Sequence, residues 1–559
     1  MGLDELGWLT RREFLSGIAG LATAGVLGGC AGGPEGAVGQ FPGKPTYGGT
    51  VIFGSPADAE ILNPILHNDT ASANVTDRVF DPVLRVDPFT GQPMPWLAER
   101  WTVSPDGLSY TFYLRKDVRW HDGEPFTAHD VKFTIEAILD PRTRTVRKSN
   151  YDMIVGAKAR IEGRAPETEG IRVIDDYTLE ITLQEPFCPF LIHGMVRGVI
   201  PKHLLEKSED LNRDEFNRRP VGTGPFKFKE WVKGDHITLV RNEDWWGRPG
   251  GPYLDQYIRK VVPDSTVVTA QLKAGDIDVG AVEPSDLDEL EREPHLTIYR
   301  YDDLGYTYIG YNLSRPPLDD RRVRWALSLA VDTDSIIRTV LRGEAMRITD
   351  HIPPASWAYN PNIKPPEYNP QRARQLLEQA GFRPGPDGIM QRDGKPLRFT
   401  LWVPAGQKIR EQVAIIAKDQ WKQVGVDVDI QFQEWNAFLE RLRQGDFDLV
   451  ISGYSLGVDP NPRAFWHSAE LAPRGFNRIR YRNPEVDRII EEAVKVPGCD
   501  LEQRKRLYWR FQELLAADQP FNFLFSLKAL VAIKKSVVGP NPTTFGGVFH
   551  NIHDWYVAK

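Results

Sequence analysis

The chain has 559 residues, of which 41% are hydrophobic and 26% charged, and its formal net charge at pH 7 is -7. A chain of this length can bury a large core and corresponds to about two to four domains. Charges of both signs are mixed without a basic run, which argues against a nucleic-acid-binding protein, and the scattered 43 prolines and 48 glycines indicate many turns rather than one disordered block.

The first thirty residues have the pattern of an export signal rather than of a folded domain. An apolar, Gly/Ala-rich stretch runs from Ile18 to Leu27. It is shorter than the roughly 20 residues that span a bilayer, so it suits the hydrophobic region of a signal peptide, the alternative being a buried or interfacial helix. A match to the twin-arginine export pattern precedes it, formed by Thr10, Arg11, Arg12, Glu13, Phe14 and Leu15.

Residues 27–30, Leu-Gly-Gly-Cys, resemble a lipoprotein-processing site, where small residues expose the backbone to the peptidase and the cysteine thiol accepts a diacylglycerol. We therefore expect 1–30 to be a twin-arginine type lipoprotein signal peptide and Cys30 to anchor the chain through more than one acyl group. The Gly- and Pro-rich residues 31–44 predict a flexible tether. The folded part should be soluble, monomeric and extracytoplasmic, in a periplasm or at the cell surface.

Cysteine usage sets the kind of stability that the folded part needs. Beyond Cys30 the chain has only Cys188 and Cys499, too few for a disulfide framework. A single bridge between these two is possible, and the sequence does not decide whether it forms. The hydrophobic core must therefore supply most of the stability.

Three helices are predicted from capping residues and apolar spacing. Thr127 and Asp130 form a capping box before a helix that Pro141 ends. Asp320 begins a second helix with apolar residues on one face. A third is expected over 369–381, with proline at its first position and glycine at its end. These are ordinary core-facing helices.

Residues 397–460 have the most informative pattern in the chain. Strands alternate with helices in the order βαβαβ, which predicts parallel strands with right-handed crossovers. In such sheets, ligands bind beyond the carboxyl ends of the strands. The predicted elements are a strand over Leu397–Val403, a helix over Lys408–Gln423, a strand over Val426–Gln433, a helix over Asn436–Gln444 and a strand over Phe447–Ser452.

Three aromatic residues lie close to the ends of these strands. Trp402 lies near the end of the first, Trp435 just after the second and Tyr454 just after the third. Together they could line a flat-walled pocket. The alternative is that each of them packs in the core, and for Trp402 the two interpretations weigh about equally.

A long, ordered series of motifs resembles one known family. Its longest part comprises Ala98, Trp101, Ser104, Pro105, Asp106, Gly107, Tyr110, Leu114, Arg115, Val118, Trp120, His121, Asp122, Gly123, Phe126, Asp130 and Val131. Further matches are Pro220 to Phe226, Asn242 to Trp246, Gly275 to Asp278, Asp319 to Ala330 and Asn483 to Asp487. The series spans essentially the whole mature chain, and through it the chain resembles the family 5 extracellular solute-binding proteins, of the dipeptide/oligopeptide-binding type.

This resemblance implies an α/β, two-lobe fold like that of periplasmic binding proteins, with a hinge made by two chain crossings and a ligand cleft between the lobes. The first lobe is expected at 45–305, with an extra subdomain at about 78–215. The second lobe is expected at 306–514, and 515–559 should return to the first lobe.

The resemblance also implies a function: capture of a peptide-like solute and its delivery to an ABC permease in the membrane, with no cofactor and no catalysis. The same role with an oligosaccharide or another neutral solute is the alternative. A metal-chelate (nickel) binder and a secreted enzyme fit the sequence less well.

The motif that anchors a ligand amine in peptide-binding relatives is altered in this chain. In them an aspartate stands three residues before an acidic-Pro pair and holds the peptide's α-amino group. Here the pair is Asp459-Pro460 and the matching residue is Leu456, which cannot pair with an ammonium. Trp435 matches a pocket tryptophan of the family, and Tyr454 replaces another. Asp459 remains a candidate anchor, and without it a neutral, stackable ligand fits.

Enzyme and metal-binding motifs give little support to a competing interpretation. The chain has no Gly-x-Ser-x-Gly elbow, His-Glu-x-x-His, Walker loop or dinucleotide fingerprint. Asp276 and Asp278 lack the remaining ligand positions of a calcium loop. His550 and His553 could share a metal, but no cysteine is near. His121 is expected to fix a turn.

Overall fold

A computed structural model describes residues 44–473 and 475–558 of the chain. The predicted signal peptide at 1–30, with Arg11, Arg12 and Cys30, lies outside the described residues, as does the predicted tether up to residue 43. Both therefore stay predictions. Among the helices of the described residues, none has the length and apolar character to cross a membrane.

The described residues alternate between helices and strands along most of the chain. The helices are α1 Thr70–Val79, α2 Ala128–Leu139, α3 Ala157–Ile161, α4 Phe190–Gly194, α5 Lys202–Leu205, α6 Ser265–Ala274, α7 Leu287–Leu290, α8 Arg321–Leu329, α9 Thr333–Thr339, α10 Pro370–Gln379, α11 Lys408–Gln423, α12 Trp435–Gln444, α13 Arg463–Trp466, α14 Pro484–Ala493 and α15 Leu501–Asp518. The strands are β1 Thr50–Ser55, β2 Leu84–Val86, β3 Pro93–Pro95, β4 Ala98–Val103, β5 Ser109–Leu114, β6 Ile171–Asp175, β7 Thr178–Thr182, β8 Phe226–Val232, β9 His236–Arg241, β10 Gln256–Val261, β11 Val279–Ala281, β12 Leu296–Asp302, β13 Tyr306–Tyr311, β14 Ala345–Arg347, β15 Arg383–Pro384, β16 Met390–Arg392, β17 Lys395–Pro396, β18 Arg398–Pro404, β19 Asp427–Gln433, β20 Leu449–Tyr454, β21 Phe521–Lys534, β22 Val537–Val538 and β23 Tyr556–Val557.

One long strand, β21, lies in the middle of the largest sheet. Its path has the strand order β19-β18-β20-β13-β21-β11-β1-β10-β9-β8, and β12 and β14 also pair with β21. The first part of β21 pairs with β13 and β14, and its last part pairs with β11 and β12. A single strand is therefore hydrogen-bonded to both halves of the sheet.

Separate hydrophobic cores pack against the first and the last part of β21, so the molecule has two lobes. The first lobe buries side chains between positions 51 and 301 and between 530 and 557. The second lobe buries side chains between positions 306 and 525. This is the α/β, two-lobe architecture that the sequence predicts.

The predicted βαβαβ unit is confirmed almost to the residue. It consists of β18, α11, β19, α12 and β20, and β18 runs parallel to both β19 and β20. Helix α11 ends where Gly425 adopts a φ of 83°, a left-handed conformation that glycine adopts without a steric penalty. The carboxyl ends of the three strands therefore lie at one edge of the sheet.

The three predicted helices are confirmed as α2, α8 and α10. Thr127 and Asp130 form the capping box of α2, and Asp320 caps α8 by accepting a hydrogen bond from the Arg322 amide. Asn369 caps α10. Ahead of α2, the family signature forms a hairpin of β4 and β5, which pairs with β7 and β6 in a four-stranded sheet of the first lobe.

The exact lobe limits at 305/306 and 514/515 and the subdomain at 78–215 stay predictions. Helix α15 runs through position 514, and β21 contributes to both lobes, so the return segment serves more than the first lobe.

The chain crosses between the lobes at two places that lie side by side. One crossing is the short link from β12 to β13, and the other is within β21, where Lys528 pairs with Asp302. The Ser526 hydroxyl donates to the carbonyls of Asp303 (3.0 Å) and Gly305 (2.6 Å), which joins the two crossings. Two adjacent strands can bend together while both lobes keep their cores, so this is the natural hinge.

Candidate ligand-binding cleft

A cavity of about 490 Å³ is lined by residues of both lobes. The first lobe contributes Asn150 and residues from the segments 74–86, 192–198 and 545–550, and the second lobe contributes Gly457 and Val458. The lobes touch beside it, since a Cβ added at Gly91 of the first lobe would lie 2.9 Å from the Val458 side chain. A cavity with walls on both lobes is the part of the molecule that a hinge motion opens and closes.

Helix α1 brings charged side chains to this cavity. Asp69 caps its first turn by accepting from the Ser72 amide at 2.7 Å, and Asp77 and Arg78 lie in its last turn. The loop with the predicted motif at 220–226 packs directly on the end of the helix: a Cβ at Gly222 would lie 1.8 Å from the Val79 carbonyl oxygen. Glycine is therefore needed for this contact.

Three arginines line the cavity. Arg78 is only 5% exposed; its guanidinium lies 4.6 Å from the Phe549 ring, it donates to the Asn74 carbonyl, and its Nε has no partner among the described residues. Arg85 lies 4.1 Å from the Trp96 ring and donates to the His550 carbonyl. Arg197 is half-buried. Within residues 44–473 and 475–558, none of these three forms an ion pair within 4.0 Å.

The acidic groups near the cavity neutralise its arginines only in part. Burial lowers the pKa of Arg85, and the carboxylates of Asp81 and Asp77 act in the opposite direction. Among the described residues that line the cavity, one carries a carboxylate, Asp77. Asp81 lies behind the wall and accepts from the indole Nε1 of Trp96 (2.7 Å) and of Trp246 (2.9 Å), so it is held by neutral donors. The cavity is therefore cationic.

Two histidines also line the cavity, and both are neutral at pH 7. Burial lowers the pKa of His193, with the nearby Asp459 carboxylate acting in the opposite direction. Burial likewise lowers the pKa of His550, whose Nε2 lies 2.7 Å from the Asn541 carbonyl. The positive charge of the cavity therefore comes from the arginines.

A larger groove of about 980 Å³ lies on the first lobe alone. Its walls come from residues 59–60, 215–221 and 228–233. Size alone would favour this groove as a ligand site. However, the second lobe does not contribute to it, so closure of the hinge would not enclose a ligand there, and we regard the smaller interlobe cavity as the site.

The predicted aromatic residues lie on the second lobe, outside the lining of this cavity. Trp402 is half-buried with the Arg441 guanidinium 3.6 Å from its ring. Trp435 is 43% exposed and its ring lies 6.0 Å from that of Phe438. The structure does not bring these two indoles into one stacked pair. Whether either contacts a ligand stays a prediction.

Tyr454 belongs to an aromatic cluster in the second lobe. Its ring stacks on Tyr308 at 5.1 Å and lies 4.3 Å from Phe465. Burial and the neighbouring Tyr308 raise the pKa of Tyr454 well above its ordinary value, so it stays protonated. Leu456 packs against the same core. Ligand contact by Tyr454 and Leu456 also stays a prediction.

The carboxylate of Asp459 is already paired inside the second lobe. It accepts two hydrogen bonds from Arg504 Nη2, at 2.9 and 3.1 Å, and both side chains are at most 5% exposed. Arg504 in turn donates to the Ala493 carbonyl and the Tyr508 hydroxyl. A ligand amine would have to compete with this pair, so the geometry favours a structural role for Asp459; its proposed role as an anchor is still to be measured.

The three cavity arginines could not be recognised as a group from the sequence. Arg78 and Arg85 belong to one segment, but Arg197 is more than a hundred positions away, so spacing along the chain does not reveal that they meet. One local signal exists: Arg197 lies within the sequence Met-Val-Arg-Gly-Val-Ile. An arginine among apolar neighbours indicates a charged side chain that is partly buried. That signal marks the position without naming its partner.

The histidines weighed as metal ligands have ordinary structural contacts. His121, which was expected to fix a turn, contacts the loop at 222–224: Nδ1 accepts from the Gly222 amide at 3.2 Å and Nε2 lies 3.0 Å from the Gly224 carbonyl. His553 lies 3.5 Å from Asp554. Among the described side chains, no group of three or more His, Cys, Asp or Glu is arranged to hold a metal ion.

Comparison with known proteins gives consistent matches over most of the chain. A model of the bacterial extracellular solute-binding proteins, family 5, matches residues 92–474. The oligopeptide-binding protein AppA of Bacillus subtilis is 33% identical over 528 residues, covering 92% of this chain and 93% of that protein.

Solved structures match the whole two-lobe fold. AppA from Bacillus subtilis in complex with a nonapeptide has a TM-score of 0.78 at 32% identity, covering 92% of this chain and 100% of that one. NikZ from Campylobacter jejuni in complex with Ni(L-His) also has a TM-score of 0.78, at 30% identity, covering 91% of this chain and 99% of that one.

Proposed function

The chain belongs to family 5 of the bacterial extracellular solute-binding proteins, and from that membership we propose that it captures a peptide between its lobes and delivers it to an ABC permease. The observation that carries the proposal is the cavity walled by both lobes, which are joined by a two-strand hinge. AppA, whose fold this chain shares, is described with a nonapeptide bound.

The proposed mechanism is binding without covalent chemistry. A ligand that enters the open cleft contacts one lobe, and rotation about the hinge brings the other lobe onto it. The closed form is favoured only to the extent that the ligand binds it more tightly than the open form. The closed lobes then present the surface that a permease recognises. We infer that the chain is not an enzyme, because its family binds solutes and the proposed cleft holds a ligand without changing it.

The charge of the cleft predicts how a peptide is held. Three arginines outnumber the one lining carboxylate, that of Asp77, and the Asp459 carboxylate is already paired with Arg504. This balance favours recognition of carboxylates rather than of the α-amino group. A charge-assisted hydrogen bond is worth about 1.5–3 kcal/mol. Amidating the carboxyl terminus of a peptide should therefore weaken binding by about 10- to 100-fold, while N-acetylation should change it little.

Calorimetry with one peptide in free, N-acetylated and C-amidated forms measures this. Arg197→Gln should weaken the free form and leave the amidated form nearly unchanged, and Arg197→Lys should recover part of the loss. If acetylation abolishes binding, the peptide is held by its amine and the argument from the arginines is wrong. Ni(L-His) belongs in the same titration, because tighter binding of this chelate than of any peptide would reject the peptide assignment.

We further propose that the chain is exported folded and anchored by lipid, on the basis of Arg11, Arg12 and Cys30. Replacing both arginines with lysine should stop export of folded protein. Cys30→Ser should release the chain into the soluble fraction or leave its signal uncleaved. Membrane fractionation with immunoblotting measures both; a Cys30→Ser chain that is still processed and membrane-bound would reject the lipid anchor.

A further inference from the structure

A disulfide joins the two lobes. Cys188 lies in the first lobe, between β7 and α4, and Cys499 ends a short 3-10 helix of the second lobe, between α14 and α15. Their Cα atoms are 5.3 Å apart, although 311 positions separate them in the chain. The sequence left this pairing undecided, and the structure shows it formed.

The bond lies within a patch of other interlobe contacts. The Cys188 amide donates to the Val494 carbonyl at 2.8 Å, and Lys495 Nζ lies 2.7 Å from the Glu185 carboxylate. Both charged side chains are about half exposed, and an exposed ion pair of this kind contributes little. The covalent bond is therefore the strong element of the patch.

The position of the bond determines its mechanical effect. The two chain crossings meet at Asp302 and Lys528 and form one line about which the lobes can rotate. Cys188 is instead next to α4, whose Ile192 and His193 line the cleft. When the lobes rotate about the hinge, two facing points separate more the further they lie from the axis. A bond between the lobes beside the cleft therefore limits the opening angle.

We propose that the Cys188–Cys499 disulfide is a redox-cleavable clasp that limits opening of the ligand cleft. Oxidised, it holds the lobes near one another and slows exchange of the ligand; reduced, it lets the hinge open fully. This inference rests on the proposed function only in taking the interlobe cavity as the ligand site.

The chemistry requires an extracytoplasmic dithiol. A thiolate of the dithiol attacks one sulfur of the bridge and displaces the other as a thiolate, and its second thiol then resolves the mixed disulfide. Two electrons and two protons pass to Cys188 and Cys499, and the dithiol leaves as a disulfide. Both cysteines are partly exposed, so such a reagent can reach them.

The test is small-angle scattering on the full chain carrying Cys30→Ser, in which Cys188 and Cys499 are the remaining cysteines. No ligand is added, so the result does not depend on which solute the protein binds. The radius of gyration should increase on reduction with dithiothreitol, while the far-UV circular dichroism stays unchanged. A Cys30→Ser, Cys188→Ser, Cys499→Ser variant should have the larger radius with or without dithiothreitol.

A second variant keeps the test decisive if the reduced chain loses structure. Inserting two glycines after Gly498, where an added Cβ would meet no atom within 4 Å, lengthens the link while the disulfide stays formed. This oxidised variant should have a larger radius than its parent. Equal radii for parent and lengthened chain, with the bond intact in both, would overturn the clasp, as would equal radii for folded oxidised and reduced chains.

Discussion

Replacing Arg504 with Met will lower the free energy of unfolding by about 3–5 kcal/mol, because it leaves the Asp459 carboxylate buried without its partner. The two side chains are 4% and 5% exposed, so solvent cannot replace the lost hydrogen bonds. Burial opposes the charge of Arg504, but the Asp459 carboxylate outweighs it and raises the pKa of the guanidinium. Guanidinium denaturation followed by circular dichroism measures the change.

A matched control is available at the surface. Arg488 and Glu492 form an i,i+4 ion pair at 2.7 Å with side chains 59% and 46% exposed. Arg488→Met should cost less than about 1 kcal/mol. The double variant Arg504→Met, Asp459→Leu should recover most of the loss, since an apolar pair of similar volume replaces a buried ion pair at little cost. Equal losses for Arg504→Met and Arg488→Met would show that the buried pair is not structural.

The second prediction concerns Asp350, which is fully buried in the second lobe. Burial raises the pKa of its carboxyl to about 7, against the effect of hydrogen bonds from the Thr349 hydroxyl and the Ile352 amide. No salt bridge joins Asp350 to any residue in the described ranges. The folded protein therefore keeps this carboxyl protonated over a range of pH in which the unfolded chain ionises it.

The sign of the pH dependence follows from that difference. A pKa raised on folding contributes stability that is fully present below the unfolded value, near 3.8, and is lost as the pH rises through about 7. The loss amounts to about 4 kcal/mol at 1.36 kcal/mol per pKa unit. Asp350→Asn cannot ionise, so its stability relative to the parent chain should rise by up to this amount between pH 4 and pH 7.

Denaturant titrations of both chains at pH 4 and pH 7 measure this difference, and any constant effect of the amide cancels. Asp393→Asn provides the control, because Asp393 is exposed on a turn and its replacement leaves the core intact. The prediction fails if Asp350→Asn and Asp393→Asn change the pH dependence equally.

Much of the fold could be predicted because it is encoded locally. Alternating apolar residues, capping residues and glycines at element ends predicted the bounds of the βαβαβ elements, and each bound agrees with the structure to within two residues. The double role of β21 could not be predicted, because fourteen successive strand residues do not show that their two ends pair with different lobes.

The site was less predictable because it, too, depends on contacts between residues that are distant in the sequence. The cleft is made where residues near positions 78, 197, 457 and 549 meet, and nothing local in the sequence brings these segments together. Asp459 shows the limit of motif reasoning: its place before Pro460 does not reveal that the fold pairs its carboxylate with Arg504. The Cys188–Cys499 bridge, with partners 311 positions apart, is equally non-local.

Calorimetric titration of a cleft-filling variant tests the central claim most directly. Gly457 lines the interlobe cavity, and a Cβ there would meet nothing nearer than 3.9 Å, so Gly457→Trp can fill the cleft without straining the loop. Lys229→Trp, in the larger groove of the first lobe, is the matched control. With a mixture of synthetic nonapeptides as the probe, we expect the parent chain and Lys229→Trp to bind equally and Gly457→Trp to lose binding. Unchanged binding by Gly457→Trp, or loss in Lys229→Trp alone, would contradict peptide capture between the lobes.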